Sequence, residues 1–321
     1  MQSNQPTIGW GAYCLASDGV LEWFQAFVRS FRMHHPDLPL TVIPYNSSIQ
    51  QLRLLQEQFH FTVMDEATAS RFDKIAPRVA GMGIAGGTFR KLACFLGKYE
   101  RFVFFDSDIV VTMRFDPLLS DFEASAYDFV FFDTDLQVFK PAFAREMMAR
   151  HGQLSFNSGA FLARRNMLDA DRILAAAEAG GKIRGEFAIW GEQPFLNYLF
   201  QVSGCRMTHV NRLAPELAFK PKAWSPFQYD IVRDCYLDPE DGILPFIHWA
   251  GQEHPYMIES EVFLKYRTLG MTSSERASYV RAFHYRRLRR RLKEQLIRLR
   301  VFNGWLARRD EYLRQSKLIT D

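Results

Sequence analysis

The chain has 321 residues, 48% hydrophobic and 24% charged, an ordinary globular composition with enough length for one large domain or two smaller ones. No apolar stretch reaches the roughly 18 to 20 residues that span a bilayer, the opening MQSNQPT lacks an export-signal pattern, and Cys14, Cys94, Cys205 and Cys235 form no CxxC pair, which disfavours a zinc or disulfide scaffold and suits the cytoplasm. The net charge of +4 hides an asymmetry: Glu275 to Lys317 holds 14 basic against 4 acidic residues, a balance of +10 that leaves −6 elsewhere, whereas a nucleic-acid binder would spread positive charge over its whole binding surface.

Trp10 to Ser17 reads as a first strand ending at the turn signal Asp18-Gly19. Leu21, Phe24, Phe27, Val28 and Phe31 then recur at helical spacing until His35-Pro36, and Leu40 to Pro44 reads as a second strand. This opens an α/β domain. A helix over about Ile49 to Phe59 leads to a short strand, Phe61 to Met64, and the glycine-rich stretch Gly81 to Gly87 reads as a mobile loop. A helix over Phe89 to Leu96 feeds the apolar run Arg101 to Phe105, the pattern of a buried central strand that ends in Asp106-Ser107-Asp108. Ligands of open α/β sheets bind at the carboxyl ends of strands, so this pair sits at the edge where function is expected.

Two aspartates separated by one residue can aim oxygen ligands at a divalent cation that bridges a diphosphate. Alone, the pattern also describes a solvated strand end. A second pair, Asp133-Thr134-Asp135, ends the similar strand Asp128 to Phe132 and has the same plain reading.

The run FRKLACFLGKYERFVFFDSDIVV from Phe89, followed by FNSGAFL from Phe156, GEQPFLN from Gly191 and HWAGQEHPY from His248, resembles the retaining GT-A glycosyltransferases of the glycogenin and lipopolysaccharide galactosyltransferase type, glycosyltransferase family 8. The resemblance covers about residues 8 to 258. It implies an α/β fold, a Rossmann-like GT-A mixed sheet flanked by helices over residues 1–271, with a basic helical extension over 272–321. It further implies a nucleotide-diphosphate sugar donor, UDP-linked by resemblance, and transfer to an acceptor hydroxyl with retention. Asp106, Asp108 and His248 would hold the metal, and a carboxylate-plus-imidazole set favours Mn2+ over Mg2+ as the alternative.

Carried over by position, Leu15, Ala16 and Ser17 would line the base, and Lys91, Asp106 and Ser107 would stand near the nucleotide. Asn157 and Ser158 would reach the donor, with Gly159 letting backbone come close. Glu192 and Gln193 match an Asp-Gln pair beneath the anomeric carbon, the carboxylate one methylene longer, and Asp133 falls near the sugar or acceptor. A further acidic position of some relatives has no counterpart in Ala188-Ile189-Trp190. Gly251 matches the diphosphate segment, but His254 stands where the family has lysine. That departure implies weaker or pH-sensitive leaving-group stabilisation, or a substitute such as Arg90.

Three other classes share parts of this pattern. A haloacid-dehalogenase-like phosphatase also reads as an apolar strand before DxD, but carries the motif near its N-terminus and needs a later Lys and acidic pair. A sugar nucleotidyltransferase opens with a glycine-rich loop for which GAYCLASDG is a poor substitute. A catalytically impaired nucleotide-sugar-binding module is the third, favoured by the lost lysine and opposed by the intact metal set.

In the tail, Phe283, Leu288, Leu292, Leu296, Leu299, Phe302 and Leu306 form an apolar stripe beside a dense arginine face, with Trp305 near its end. This is an amphipathic basic helix or helix pair, suited either to an anionic membrane surface, over residues 275–317, or to packing on the catalytic domain. RNA binding by His284 to Lys293 is disfavoured because no aromatics are interleaved through the arginines. The acceptor, whether glycan, lipid-linked or protein, is not legible.

Overall fold

The computed structural model describes residues 8–80, 86–134, 137–152, 155–189, 191–215, 230–232, 235–237, 242–252, 254–257 and 261–317. Asp135, Trp190 and the 81–85 part of the glycine-rich stretch lie outside these. The chain forms two compact units, Met1–Gly251 and Gln252–Asp321.

The first unit is built on a mixed sheet of seven strands: β1 (Ile8–Ala16), β2 (Leu40–Pro44), β3 (Phe61–Val63), β4 (Tyr99–Asp106), then, after the short β5 (Ile109–Val111), β6 (Phe129–Phe131), β7 (Ala160–Arg164) and β8 (Met207–His209). Their order is β3-β2-β1-β4-β7-β6-β8. The first four are parallel, β7 runs antiparallel to β4 and β6, and β8 is parallel to β6. Three strands follow: β9 (Asp230–Val232) pairs with β10 (Cys235–Leu237), and β11 (Phe246–His248) pairs antiparallel with β5.

Burial explains the central positions. Ala12, Tyr13, Cys14 and Ala16 of β1, and Phe102 to Phe105 of β4, are wholly buried, as expected for strands covered on both faces. Helix α1 (Leu21–His34) buries Trp23, Phe24, Phe27, Val28 and Phe31, and its periodicity stops where Pro36 cannot continue it. Arg32 then fans across the carbonyls of Leu38, Phe59 and His60 at 2.6–2.8 Å, tying the helix end to the turn before β3. The expected helix over Ile49 to Phe59 forms as two short pieces, Gln50–Arg53 and Gln56–Phe59. The expected Phe89 to Leu96 helix starts earlier and winds as 3-10 turns over Gly86–Leu96.

On the other flank an aromatic cluster fastens the Gln193–Val202 helix to the sheet. Phe200 lies 4.5 Å from Phe129 and 5.4 Å from Phe156, measured between ring centroids, and Phe104 stacks on Phe161 at 5.0 Å. Rings of this size contribute packing beyond their buried area. They fix the start of that helix against β6 and β7.

The second unit holds the helix Glu261–Arg267 and one continuous helix, Ser273–Lys317, the single-helix form of the two expected for the basic extension. Thr272 and Glu275 cap the long helix reciprocally, the Glu275 carboxylate accepting from Thr272 N at 2.8 Å and the Thr272 hydroxyl accepting from Glu275 N at 3.3 Å. Phe263 stacks on Phe283 at 5.9 Å, and the Arg267 guanidinium lies 4.3 Å from the centre of the Tyr279 ring.

Candidate active site

Asp106 ends β4, and its backbone N–H donates to Gly159 O at 2.8 Å, so the DxD turn and the Asn157-Ser158-Gly159 turn are held side by side. Asp108 lies one residue before β5. The β5–β11 ladder pairs Ile109 with His248, and Trp249 N donates to Asp108 O at 3.0 Å. Segments about 140 residues apart are thereby brought into register. Ligand atoms of Asp106, Asp108 and His248 all lie within 4.8 Å of one another, and His248 Nε2 is 3.2 Å from Asp108 Oδ1. Stacking of Trp249 on Trp23 of α1, 5.6 Å apart, anchors the segment behind the histidine.

A Cβ on Gly159 would collide with the His248 ring, so glycine is required there by the imidazole itself. Gly191, with φ +116, turns the chain into Glu192 and Gln193 from a backbone conformation that side chains disfavour.

Lys91 joins the two halves of the site. Its side chain is 2% exposed, with Nζ 3.2 Å from Asp106 Oδ1, 2.8 Å from Glu192 Oε1 and 3.4 Å from Ser158 Oγ. Burial opposes the ammonium charge, but Asp106 and Glu192 outweigh it and hold the pKa above the ordinary lysine range. Burial likewise works against ionised Glu192, and the Lys91 ammonium wins, holding the carboxyl below its usual value. Asp106 is pushed up to about 6 by burial, against the attraction of Lys91 and with Asp108 adding repulsion. For Asp108 burial is overcome by His248, which keeps it ionised; burial would neutralise His248, but Asp108 raises it.

Ser158 N and Oγ donate to Gln193 Oε1 at 3.2 and 3.3 Å, which orients that amide, and Ser158 Oγ lies 3.3 Å from Glu192 Oε1. Asn157 Oδ1 accepts from Gly159 N at 2.9 Å within its own turn, leaving the amide nitrogen as the donor it can offer. Asp133 is buried and lines a small cavity with Asn157, Phe246 and His248. Leu15, Ala16 and Ser17 are buried at the end of β1, where Leu15 is the register partner of Asp106. Ser107 is buried inside the turn.

Arg90 is not a spare cation for a diphosphate. Its guanidinium forms two 2.7 Å bonds to Asp73, a 2.8 Å pair with Glu66 and a 3.1 Å bond to Pro44 O. Gly251, with φ +76, closes the first unit, and His254 falls in the second, its ring stacked on Tyr256 at 4.9 Å.

One structural residue has no role in the sequence reading. Asn197, fully buried, accepts from Phe156 N at 2.8 Å and donates to Phe156 O and Gln193 O at 2.9 Å. It ties the Asn157 turn to the start of the Gln193–Val202 helix. The signal was its place four residues after Gln193, on the same helix face.

The donor set fits a divalent cation. With His248 neutral, as a ligand must be, Asp106, Asp108 and Glu192 face Lys91 alone, which leaves two negative charges in a largely buried cluster.

The sequence matches no protein-family profile and no curated protein. The fold matches solved glycosyltransferases. The galactosyltransferase LgtC, solved with donor and acceptor sugar analogues, superposes with a TM-score of 0.56 at 14% identity, covering 83% of this chain and 98% of that one. An active-site mutant of LgtC gives 0.54 at 14% identity over 84% and 95% of the two chains. The bifunctional glycosyltransferase WbbM in its apo form gives 0.55 at 14% identity, covering 85% of this chain, which spans about half (52%) of WbbM. The chain therefore has the GT-A fold, with its DxD at the end of the fourth strand in sequence, and the premise of the phosphatase alternative falls away.

Proposed function

We propose that this protein is a metal-dependent glycosyltransferase that moves a sugar from a nucleotide-diphosphate donor, UDP-linked, to an acceptor hydroxyl with retention. In this reading residues 1–271 form the catalytic domain, 272–321 are an extension, and the protein works in the cytoplasm. The observation that carries the reading is the convergence of Asp106, Asp108 and His248 within 4.8 Å at the carboxyl edge of a GT-A sheet, beside the Lys91–Glu192 pair.

A Mn2+ ion held by Asp106, Asp108 and His248 would supply charge neutralisation for the departing diphosphate. The remaining work belongs to the side chains. Lys91 keeps Glu192 ionised and fixed beneath the sugar, and Ser158 sets the Gln193 amide. Asn157 and Asp133 supply a donor and an acceptor for hydroxyls. Glu192 is pinned by Lys91 and Gln193 is an amide, a poor nucleophile, so the arrangement favours front-face exchange over a covalent intermediate. The bond from the anomeric carbon to the phosphate oxygen breaks as the acceptor oxygen bonds on the same face, and the hydroxyl proton passes to the departing diphosphate.

The test is a thermal-shift panel of UDP-, GDP-, ADP- and dTDP-sugars with Mn2+, Mg2+ or EDTA. A donor at about 100 times its dissociation constant should stabilise by roughly 2.7 kcal/mol. A shift that needs Mn2+, with UDP-sugars preferred, is the expected result. Absence of a shift with every donor would overturn the enzyme reading in favour of a binding module.

A further inference from the structure

The long helix of the second unit carries a feature that sugar transfer does not use. Its first turns are occupied: Phe283 is 3% exposed and stacks on Phe263, with Tyr279 beside it. From Tyr285 onward another face opens to solvent. Tyr285, Leu288, Leu292, Leu296 and Leu299 are 66%, 56%, 51%, 60% and 56% exposed. At 100° per residue they fall within an arc of about 80°, a stripe some 20 Å long. Five large apolar groups in a row are unlike the scattered single ones that any surface tolerates.

Around the stripe the helix is basic. Arg286, Arg287, Arg289, Arg290, Arg291 and Lys293 dominate the remaining directions, where Ile297 is the exposed apolar exception and Glu294 the acidic residue of that stretch. This charge decides the occupant. Pairing two copies through the stripe would set Arg289 and Arg291, which flank it on either side, against the same residues of the other helix, and like charges at such positions repel. An acidic plane with an apolar interior satisfies both features: the leucines enter the acyl boundary while the arginines meet headgroups. No helix among the described residues is long and apolar enough to cross a membrane, so the helix lies along the surface.

We infer that residues 285–299 form a docking face for an anionic lipid bilayer, with the Leu288–Leu299 stripe inserted at the interface. The inference stands whether or not the donor-site reading holds.

The test is flotation of the full-length protein with vesicles of phosphatidylcholine alone or with about 30 mol% phosphatidylglycerol, at about 0.1 and 0.5 M NaCl. Binding should require the anionic lipid and weaken in high salt. Replacing Arg286, Arg289 and Lys293 together with Gln removes about 1 kcal/mol each, on the order of a 100-fold loss in partitioning. The double variant Leu292→Ser with Leu296→Ser should also lose binding; both side chains are exposed, and circular dichroism with an unchanged urea midpoint checks that the rest stays folded. Equal flotation with neutral vesicles, or none with either, would overturn the inference. So would a concentration-dependent dimer that the double serine variant abolishes, which would give the stripe to a second copy.

Discussion

Lys91 is the residue on which the site's electrostatics turn. One buried ammonium offsets two carboxylates, Asp106 of the candidate metal set and Glu192, for which we propose a place beneath the sugar. Removing one partner of a buried ion pair leaves the other uncompensated and costs about 3 to 5 kcal/mol. Lys91→Met should therefore destabilise the protein by about 3 kcal/mol in urea titrations, with part of the loss recovered in saturating Mn2+, because the added cation compensates the same carboxylates. A loss that Mn2+ leaves untouched would show that the metal sits elsewhere. His35 gives a second test. It is packed between Phe31 and Phe115, and burial lowers its pKa from 6.5 to about 4. Its neutral form is the one the fold accepts, so the unfolded chain binds the extra proton between these values. Stability should be full above pH 6.5 and decline as pH falls toward 4, by on the order of 2 to 3 kcal/mol. His35→Phe should flatten that part of the urea midpoint against pH profile; an unchanged slope would assign the acid sensitivity to other groups.

At the scale of elements, the strands that read most clearly are those with unbroken apolar runs. The β2 segment Leu40–Pro44 matches its expected bounds, and β1 and β4 differ by one or two residues at their ends. The partnership of β5 with β11 was not legible, since three-residue strands carry no period and their pairing is set by the tertiary fold. The site residues were readable as types, DxD and His, but not the Lys91–Glu192 contact, because nothing in a sequence says that a lysine on one helical turn faces a carboxylate about 100 residues later. The antiparallel β7 was also hidden, along with what anchors its end. Arg164 donates to the carbonyls of Phe122, Ser125 and Tyr127 at 2.9–3.0 Å and so caps the C-terminal end of the Asp116–Ala124 helix. Arg164→Met keeps the stem and strips the donors. It should cost about 2 kcal/mol in chemical denaturation, and Arg164→Lys should recover only part of that, one ammonium being unable to span three carbonyls. A neutral Arg164→Met would mean that water replaces the guanidinium without loss.

For the whole molecule, the opposing charges of body and tail set how each unit answers to its surroundings. The first unit draws its stability from a dense aromatic core, and the ligand network at its sheet edge links β4, the Asn157 turn and the Gln193–Val202 helix. Donor and Mn2+ should raise its melting temperature. The 285–299 stretch of the Ser273–Lys317 helix has a different balance, with like charges crowded along it and exposed leucines that contribute no burial. A helix without a packed face is marginal in water, and repulsion among arginines weakens it further. Salt screens that repulsion, the Debye length falling from about 30 Å at 0.01 M to about 10 Å at 0.1 M. Helicity at 222 nm should therefore rise with salt at low temperature and melt in a broad step that donor and Mn2+ do not move, below the cooperative transition that they do. A single transition shifted as a whole by donor would mean that the tail's helix depends on the first unit for its stability, and the arginine repulsion would then be offset by packing rather than by ions.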